Sequence, residues 1–377
     1  MKVLMITTSY PDYEGSNRGI FIRRLCRELV DQGVRVVVLT PRIYRESPLF
    51  EEEAGIKVHR FRYPGAGTPL NRLEKIPVLS MGVYMLSGIL NALSLIIREK
   101  PDVIHGNWIV PTGLIASLAG LMTWTPVINS ARGMDVRVSE RGVVKHLFDL
   151  AVRLSDKVTV VSEAMKKDRE CLSGAETIPS GVDEGFFRIV PDRSSRNILH
   201  IRALERIYDA ETLIRAAPLV VQEMPGARFV IAGTGSHASA LRELAHDLGV
   251  EDHVCFKGPV DHASMAELMG NASVYVSCAL ADGTSIALME AIAAGLAPVV
   301  TDIEANRPLV TDGEDGYLFN PGDERDLADK VLKALSRDIP FELLDKKRSG
   351  LKEMISWSSI AKRFIASYSQ LIVRSGR

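Results

Sequence analysis

Short apolar segments and helical patterns alternate along the whole chain. Strands of the buried type are predicted at 2–8, 34–40, 103–105, 198–203 and 274–278, and residues 55–63 alternate like an edge strand. All of these except 34–40 are followed by a loop and a helical pattern. Strands that alternate with helices pair in parallel, through right-handed crossovers. The pattern therefore predicts an α/β protein with two Rossmann-like parallel sheets.

The length of 377 residues suits two domains better than one core. A first domain is predicted at 1–182 and a second at 197–356. Between them, 183–196 is rich in turn residues and charges and is predicted to be a linker. The amphipathic segment 357–377 is predicted to be a final helix.

The most informative stretch is 273–301, which predicts strand, loop, helix and strand. Between Ser285 and Leu296 the helix carries one charged residue, Glu290, among apolar ones. A helix that is apolar all round is buried, so this carboxylate needs a partner or a cleft. Asp282 lies on the loop that enters the helix, where the backbone of Gly283, Thr284 and Ser285 could cradle an anion.

This spacing of an acid, a later Glu and a Gly-x-x-Pro-Val end resembles the signature of the retaining nucleotide-sugar glycosyltransferases of family four. The resemblance implies a GT-B fold, with two Rossmann-like domains facing a cleft and a final helix that crosses back onto the first domain. It also implies that Asp282 contacts donor-sugar hydroxyls and that Glu290 binds the ribose hydroxyls, with Gly283, Thr284, Ser285 and Ile286 on the donor side. The family usually has Glu at the first position, and Asp-Gly is also a common turn, so Asp282 remains either a turn residue or a sugar ligand.

Transfer from a nucleotide diphosphate requires neutralisation of the leaving pyrophosphate. The sequence has neither Asp-x-Asp nor a metal-type cluster, so we expect no metal and no cofactor, and the cations should be side chains. Arg202 stands where the family places an Arg. The family's later Lys is replaced by Ile207 or Tyr208, and Arg206 is the alternative cation.

Further site residues are expected at strand ends, where ligands of parallel sheets bind. HGNW resembles a family His-x-His-Trp and places His105 and Trp108 on the acceptor side, where Asp135 is also expected. NSARGMD resembles a family Arg-Gly-x-Asp, so Arg132 would face the donor sugar and phosphate, or else pair with Asp135. The resemblance also assigns Gly19, Gly233 and Val260 to the donor side.

Composition excludes some classes of protein. The net charge of −1 and a pI near 6.7 leave no global footprint for nucleic acid. Cys26, Cys171, Cys255 and Cys278 have no pairing or metal spacing, and the N-terminus lacks a secretory pattern, so a cytoplasmic protein is predicted.

The apolar segment 76–97 is predicted to be a buried or membrane-facing helix rather than a transmembrane one. Basic and aromatic residues precede it, which favours an anionic membrane surface as a partner: Arg60, Arg62, Tyr63, Leu70, Arg72 and Lys75. The alternative is a buried helix with a solvated loop.

The resemblance implies retaining, metal-independent transfer from a nucleotide-sugar, with UDP favoured, to a hydroxyl acceptor that is lipid-linked or a surface-glycan precursor. The protein would be cytoplasmic or peripheral at the inner membrane face. The alternatives are a nucleotide-sugar hydrolase or epimerase of the same fold, and a non-catalytic partner subunit that binds nucleotide-sugar.

Overall fold

The computed structural model describes residues 1–13, 16, 18–64, 78–133, 135–136, 139, 142–282 and 285–376. The chain divides into two compact units, Met1–Gly181 with Trp357–Arg377, and Val182–Ser356. Residues 183–196, expected as a linker, fall within the second unit. Phe186 and Phe187 are buried in its core, which gives this segment a packed position.

The first unit contains an eight-stranded sheet in the order β3-β4-β2-β1-β5-β6-β7-β8. The β3–β4 pair is antiparallel and the other pairs are parallel. Because β3 pairs outside it, β4 is an interior strand and not the edge strand that its alternating pattern suggests. The strands are β1 (Lys2–Thr7), β2 (Arg35–Pro41), β3 (Phe50–Glu53), β4 (Ile56–Phe61), β5 (Val103–Asn107), β6 (Val127–Ala131), β7 (Lys157–Val160) and β8 (Glu176–Thr177).

The helices of this sheet are α1 (Ile20–Asp31), α2 (Val78–Glu99), α3 (Leu114–Thr123), α4 (Gly142–Arg153) and the short α5 (Ala164–Asp168). Helix α2 packs against α3, and α3 packs against α4. Among the described residues, Leu79–Glu99 is the stretch long and apolar enough to cross a membrane by length and composition, and 28% of its most apolar window is buried.

The second unit contains a six-stranded, wholly parallel sheet in the order β11-β10-β9-β12-β13-β14. Its strands are β9 (Asn197–Ile201), β10 (Arg228–Ala232), β11 (Val254–Gly258), β12 (Val274–Ser277), β13 (Ala297–Thr301) and β14 (Tyr317–Phe319). Its helices are α6 (Ala210–Glu223), α7 (Ala238–Asp247), α8 (His262–Gly270), α9 (Ile286–Ala294), α10 (Glu324–Ser336) and α11 (Phe341–Ile355).

The chain ends in α12 (Trp357–Arg374), which packs against α1 of the first unit. Its apolar face joins the core beneath β1 and β2 through Trp357, Ile360, Phe364, Tyr368 and Leu371. The amphipathic pattern of the segment is therefore used for packing within the first unit.

Candidate active site

Strands β9 and β12 are parallel neighbours in the second sheet, so their carboxyl ends lie at the same edge. Arg202 follows β9 directly, and Asp282 lies on the loop after β12. Their side chains form an ion pair, although 80 positions separate them in the chain. The sheet thus brings together two residues that the sequence singled out separately.

Most of the surface of this ion pair is removed from solvent, with 13% of the Arg202 side chain and 14% of the Asp282 side chain exposed. The guanidinium carbon of Arg202 lies 4.4 Å from the centre of the Tyr208 ring, in a cation–π contact. The buried Nε of Arg202 has no hydrogen-bond partner among the residues that the structure describes. A buried donor without an acceptor is costly, so this N–H is a group that an anionic ligand can satisfy.

Helix α9 begins beside this pair. Ser285 is its N-cap and accepts a hydrogen bond from the backbone N–H of Leu288 at 3.2 Å, while Gly295 ends the helix with a left-handed conformation. Glu290 is 6% exposed, as its apolar surroundings predict, and Ile286 is 43% exposed. Gly283 and Thr284 lie outside the described residues.

The buried Tyr275 on β12 connects these groups electrostatically. Burial raises the pKa of its hydroxyl, Arg202 lowers that pKa, and the carboxylates of Asp282 and Glu290 raise it. One guanidinium and two carboxylates thus act electrostatically on one buried phenol. That arrangement suits a ligand with both phosphate and hydroxyl groups.

The glycine loop after β10 packs closely against the backbone of Arg202. Gly233 has a φ of +145°, and a Cβ there would lie 1.9 Å from the carbonyl oxygen of Arg202. The backbone N–H of Arg202 donates to the carbonyl of Ala232 at 3.2 Å. The contact of Gly233 is thus a close approach to the backbone of Arg202. Val260 packs against the apolar core around α9.

Arg206 contacts a different group. Its Nε–H donates to His237 Nε2 at 2.8 Å, and both residues line a cavity of about 390 Å³ next to Glu205 and Asp209. Its described hydrogen bond joins it to the loop after β10 and not to Asp282. Arg206 and Arg202 are therefore not equivalent cations in this structure.

Asp135 in the first unit links two loops through hydrogen bonds to its carboxylate. Its carboxylate is buried and accepts backbone hydrogen bonds from Ile109 at 2.8 Å and from Arg132 and Gly133 at 3.0 Å each. Burial raises the pKa of Asp135, and these backbone donors oppose that effect. Asp135 thus joins the loop after β5 to the loop after β6.

The guanidinium of Arg132 hydrogen-bonds a different residue from the one expected. It donates to Asn107 Oδ1, from Nη2 at 2.7 Å and from Nε at 3.3 Å, and it lies 5.4 Å from the centre of the Phe21 ring. Burial lowers the pKa of Arg132 to about 10, so the group stays charged at neutral pH. The hydrogen bond that Asp135 accepts from Arg132 comes from the backbone N–H of Arg132, and not from the guanidinium.

His105 lies inside β5 and not at its end, which corrects the position expected from the sequence. It is fully buried, with Nδ1 2.7 Å from the Tyr368 hydroxyl and Nε2 2.7 Å from Ser130 Oγ. Burial and the Arg132 charge hold its pKa well below the ordinary value. One ring nitrogen contacts α12 and the other contacts β6, so neither is offered to an acceptor substrate.

Two further expected residues lie around α1. Trp108 has a φ of +64° and packs edge-on against Phe21. Gly19 has a φ of +67° at the start of α1, and a Cβ there would lie 2.3 Å from the carbonyl oxygen of Ser9. The glycine is required by this close approach, whatever else it contacts.

Some residues of these edges were missed in the sequence. Tyr208 is one of the two residues expected in place of the family's Lys, and Asn107 is the third residue of HGNW; here they contact Arg202 and Arg132. Arg18 pairs with the buried Asp12 next to Gly19, with Nη2–Oδ1 at 2.9 Å. The sequence signal for this pair is weak: an acid and a base occur within the same loop, 9–19.

The basic segment proposed to face a membrane is partly corrected. Arg60 is 4% exposed and donates to the carbonyls of Pro11 and Pro48 and to Glu51, so it is a core residue. Arg62 is exposed. Leu70, Arg72 and Lys75 lie outside the described residues.

Within the described ranges, no group of three or more His, Cys, Asp and Glu side chains is placed to hold a metal ion. Metal independence stays a prediction.

Two parallel-sheet domains with polar groups at the strand carboxyl ends define the class as a two-domain Rossmann-like protein of the GT-B type. Residues 183–353 match the family model described as glycosyl transferases group 1, and residues 19–176 match the glycosyl transferase 4-like domain. The chain belongs to the group 1, family four glycosyltransferases, and it is a hexosyltransferase. The sequence-based assignments of fold and family are confirmed.

The chain is 24% identical over 388 residues to a subunit of phosphatidylinositol N-acetylglucosaminyltransferase from Arabidopsis thaliana, covering 100% of this chain and 83% of the relative. It is 21% identical over 401 residues to N-acetyl-alpha-D-glucosaminyl L-malate synthase from Bacillus anthracis, covering 99% of this chain and 98% of the relative. Among solved structures, Anabaena HepE in complex with UDP has a TM-score of 0.72 at 17% identity, covering 98% of this chain and 100% of that one.

Proposed function

We propose that the protein transfers a hexosyl group from a UDP-sugar to a hydroxyl acceptor, with retention and without a metal. The observation that carries the proposal is the group at one sheet edge: the Arg202–Asp282 pair, the unpartnered Nε of Arg202 and the buried Glu290. These groups match the parts of a nucleotide-sugar, which are a diphosphate and the hydroxyls of a hexose and a ribose.

Arg202 is the proposed electrostatic partner of the leaving diphosphate. A guanidinium binds phosphate through a fork of donors, and a partly desolvated site strengthens the attraction as charge develops on the leaving group. Asp282, which neutralises Arg202 in this structure, would exchange that contact for the hexose hydroxyls when phosphate binds. Glu290 would accept hydrogen bonds from the ribose. The acceptor hydroxyl would be deprotonated with help from the donor's own phosphate oxygens, so no protein nucleophile is required.

UDP is supported as the nucleotide by the complex of Anabaena HepE with UDP. The named relatives differ in acceptor, since one name contains a phosphatidylinositol lipid and the other contains malate. We propose a lipid-linked acceptor, because α2 of the first unit exposes much of a long apolar helix. We place the enzyme in the cytoplasm, at the inner face of the membrane.

The test is calorimetric titration with UDP, GDP and ADP, followed by assays of nucleotide release from the corresponding sugars with and without lipid acceptors. Tight binding of UDP with acceptor-dependent release supports the proposal. Release without an acceptor identifies a hydrolase, and conversion of the UDP-sugar into another UDP-sugar without release identifies an epimerase. Binding without release or conversion, with any acceptor, identifies a non-catalytic partner subunit.

A further inference from the structure

The guanidinium of Arg202 has two side-chain partners of different kinds. Its Nη2 donates to the carboxylate of Asp282, and its central carbon lies 4.4 Å from the centre of the Tyr208 ring. The carboxylate neutralises the cation, whereas the ring attracts it through an electron-rich face and carries no net charge. The ring therefore fixes the guanidinium in place and leaves its positive charge available to an anion.

Tyr208 is itself held by its local structure. It is half-buried at the end of the short helical turn Arg206–Tyr208, and its backbone N–H donates to the carbonyl of Glu205 at 2.9 Å. The next residue, Asp209, is the N-cap of α6 and has a φ of +42°. Its carboxylate accepts a hydrogen bond from Thr212 Oγ1 at 2.6 Å. The ring is thus carried by a short turn that is fixed at the start of a long helix.

The turn is also linked to the loop that carries Asp282. The carbonyl of Ile207 accepts a hydrogen bond from the backbone N–H of Leu280 at 2.9 Å, two residues before Asp282. Both partners of Arg202 therefore lie on loops that are hydrogen-bonded to each other, so the ring has a fixed position relative to the site.

We propose that Tyr208 is a positioning residue, which holds the guanidinium of Arg202 in place for a diphosphate after that ligand displaces Asp282. When the exchange occurs, Arg202 loses its anionic protein partner, and the Tyr208 ring is the described side-chain partner that remains. Fixing a long Arg side chain costs rotamer freedom. A guanidinium that the ring already holds therefore binds phosphate at a smaller entropic cost.

This inference rests on the proposed function, because it takes the ligand of Arg202 to be a diphosphate. The contact can nevertheless be measured without turnover, by NMR of the Nε–H group of Arg202 in arginine-labelled protein. Loss of one signal in Arg202→Lys identifies that group. We expect the signal to lose an aromatic ring-current shift in Tyr208→Leu and to keep it in Tyr208→Phe.

The same two substitutions separate the ring from its hydroxyl in function. We expect Tyr208→Leu to lower both UDP affinity and kcat/KM for a UDP-sugar by about tenfold, as loss of a partly desolvated cation–π contact implies. Tyr208→Phe keeps the ring face and should stay within about twofold of the parent. Uridine, which lacks phosphates, should bind both variants as it binds the parent, whereas a loosened fold would weaken uridine binding as well.

A double-mutant cycle tests whether Tyr208 acts through Arg202. Tyr208→Leu added to Arg202→Ala should cost less than about twofold beyond Arg202→Ala alone, because the ring then has no guanidinium to hold. The matched control is Phe256→Leu on the edge strand β11, which removes a second cation–π contact in the same unit, between Phe256 and Arg242, also at 4.4 Å. This variant should bind UDP as the parent does.

The proposal is overturned if Tyr208→Leu binds UDP as tightly as the parent, or if Tyr208→Phe loses as much affinity as Tyr208→Leu. It is also overturned if the losses from Tyr208→Leu and Arg202→Ala simply add, or if the Arg202 signal is the same in Tyr208→Leu and in the parent. Failure of the parent to bind UDP would contradict the proposed function, and the Arg202 signal alone would then decide whether Tyr208 holds the guanidinium.

Discussion

The carboxyl edges of the two sheets use their charged residues differently. In the first unit, Asp135 is saturated by three backbone N–H groups and Arg132 donates to Asn107. In the second unit, Arg202 pairs with Asp282 but keeps a buried Nε without a hydrogen-bond partner among the described residues. A carboxylate that its own backbone occupies is part of the scaffold, whereas the Arg202 Nε, at a strand end beside Asp282, can donate to a ligand.

The largest expected effect is at Arg202. We expect Arg202→Ala to lower turnover of a UDP-sugar by about two to four orders of magnitude, because it removes a preorganised cation from the leaving diphosphate. Arg206→Ala, on the same loop but in contact with His237, should lose less than about tenfold. Steady-state kinetics of both variants make the comparison. Uridine, which lacks phosphates, should bind the Arg202 variant as it binds the parent, and a matching loss of uridine affinity would refute the assigned role.

The second-largest effect is expected on the stability of the fold and not on UDP binding. Asp135→Ala leaves one buried and two partly buried backbone donors without their acceptor, so we expect the free energy of unfolding to drop by about 1–3 kcal/mol. Urea unfolding followed by tryptophan fluorescence is suitable, since Trp108, Trp124 and Trp357 all lie in the first unit. UDP affinity should be unchanged. A large loss of UDP affinity with normal stability would instead place Asp135 in the binding site.

Local patterns predicted the elements of the second edge well. The expected strand, helix and strand of 273–301 correspond to β12, α9 and β13, because an apolar run, a Ser N-cap and a Gly end are local properties. The contacts that separate site from scaffold are not local. Arg202 and Asp282 are 80 positions apart, and His105 and Tyr368 are 263 apart. Only the packed sheet determines which polar residues are saturated by their neighbours.

The third prediction concerns Glu290. Glu290→Ala should weaken UDP binding by at least tenfold, about 1.4 kcal/mol, if the carboxylate accepts hydrogen bonds from the ribose. Glu290→Gln keeps the shape and one acceptor oxygen, so it should lie between the parent and the Ala variant. Calorimetry with UDP measures both, and affinity equal to that of the parent in the Ala variant would exclude Glu290 from the site.

The smallest effect at neutral pH is expected from a buried histidine in each unit. Burial lowers the pKa of His200 from 6.5 to about 4, and it holds the pKa of His105 well below 6.5. The His200 ring is therefore neutral in the folded chain at pH 5, whereas the unfolded chain binds a proton at each histidine below about pH 6.5. His200 thus makes the free energy of unfolding fall by about 1.4 kcal/mol per pH unit between pH 6.5 and 4. His105 acts in the same direction as the pH falls below about 6.5, and neither ring contributes such a slope above pH 7. His200→Gln should flatten the pH dependence of unfolding by one proton in circular dichroism, and His105→Gln should do so in tryptophan fluorescence, which reports the first unit. The control is His246→Gln, since 76% of that side chain is exposed. If the His200 and His105 variants keep the slope of the parent, protonation of these two rings does not govern the acid sensitivity of either unit.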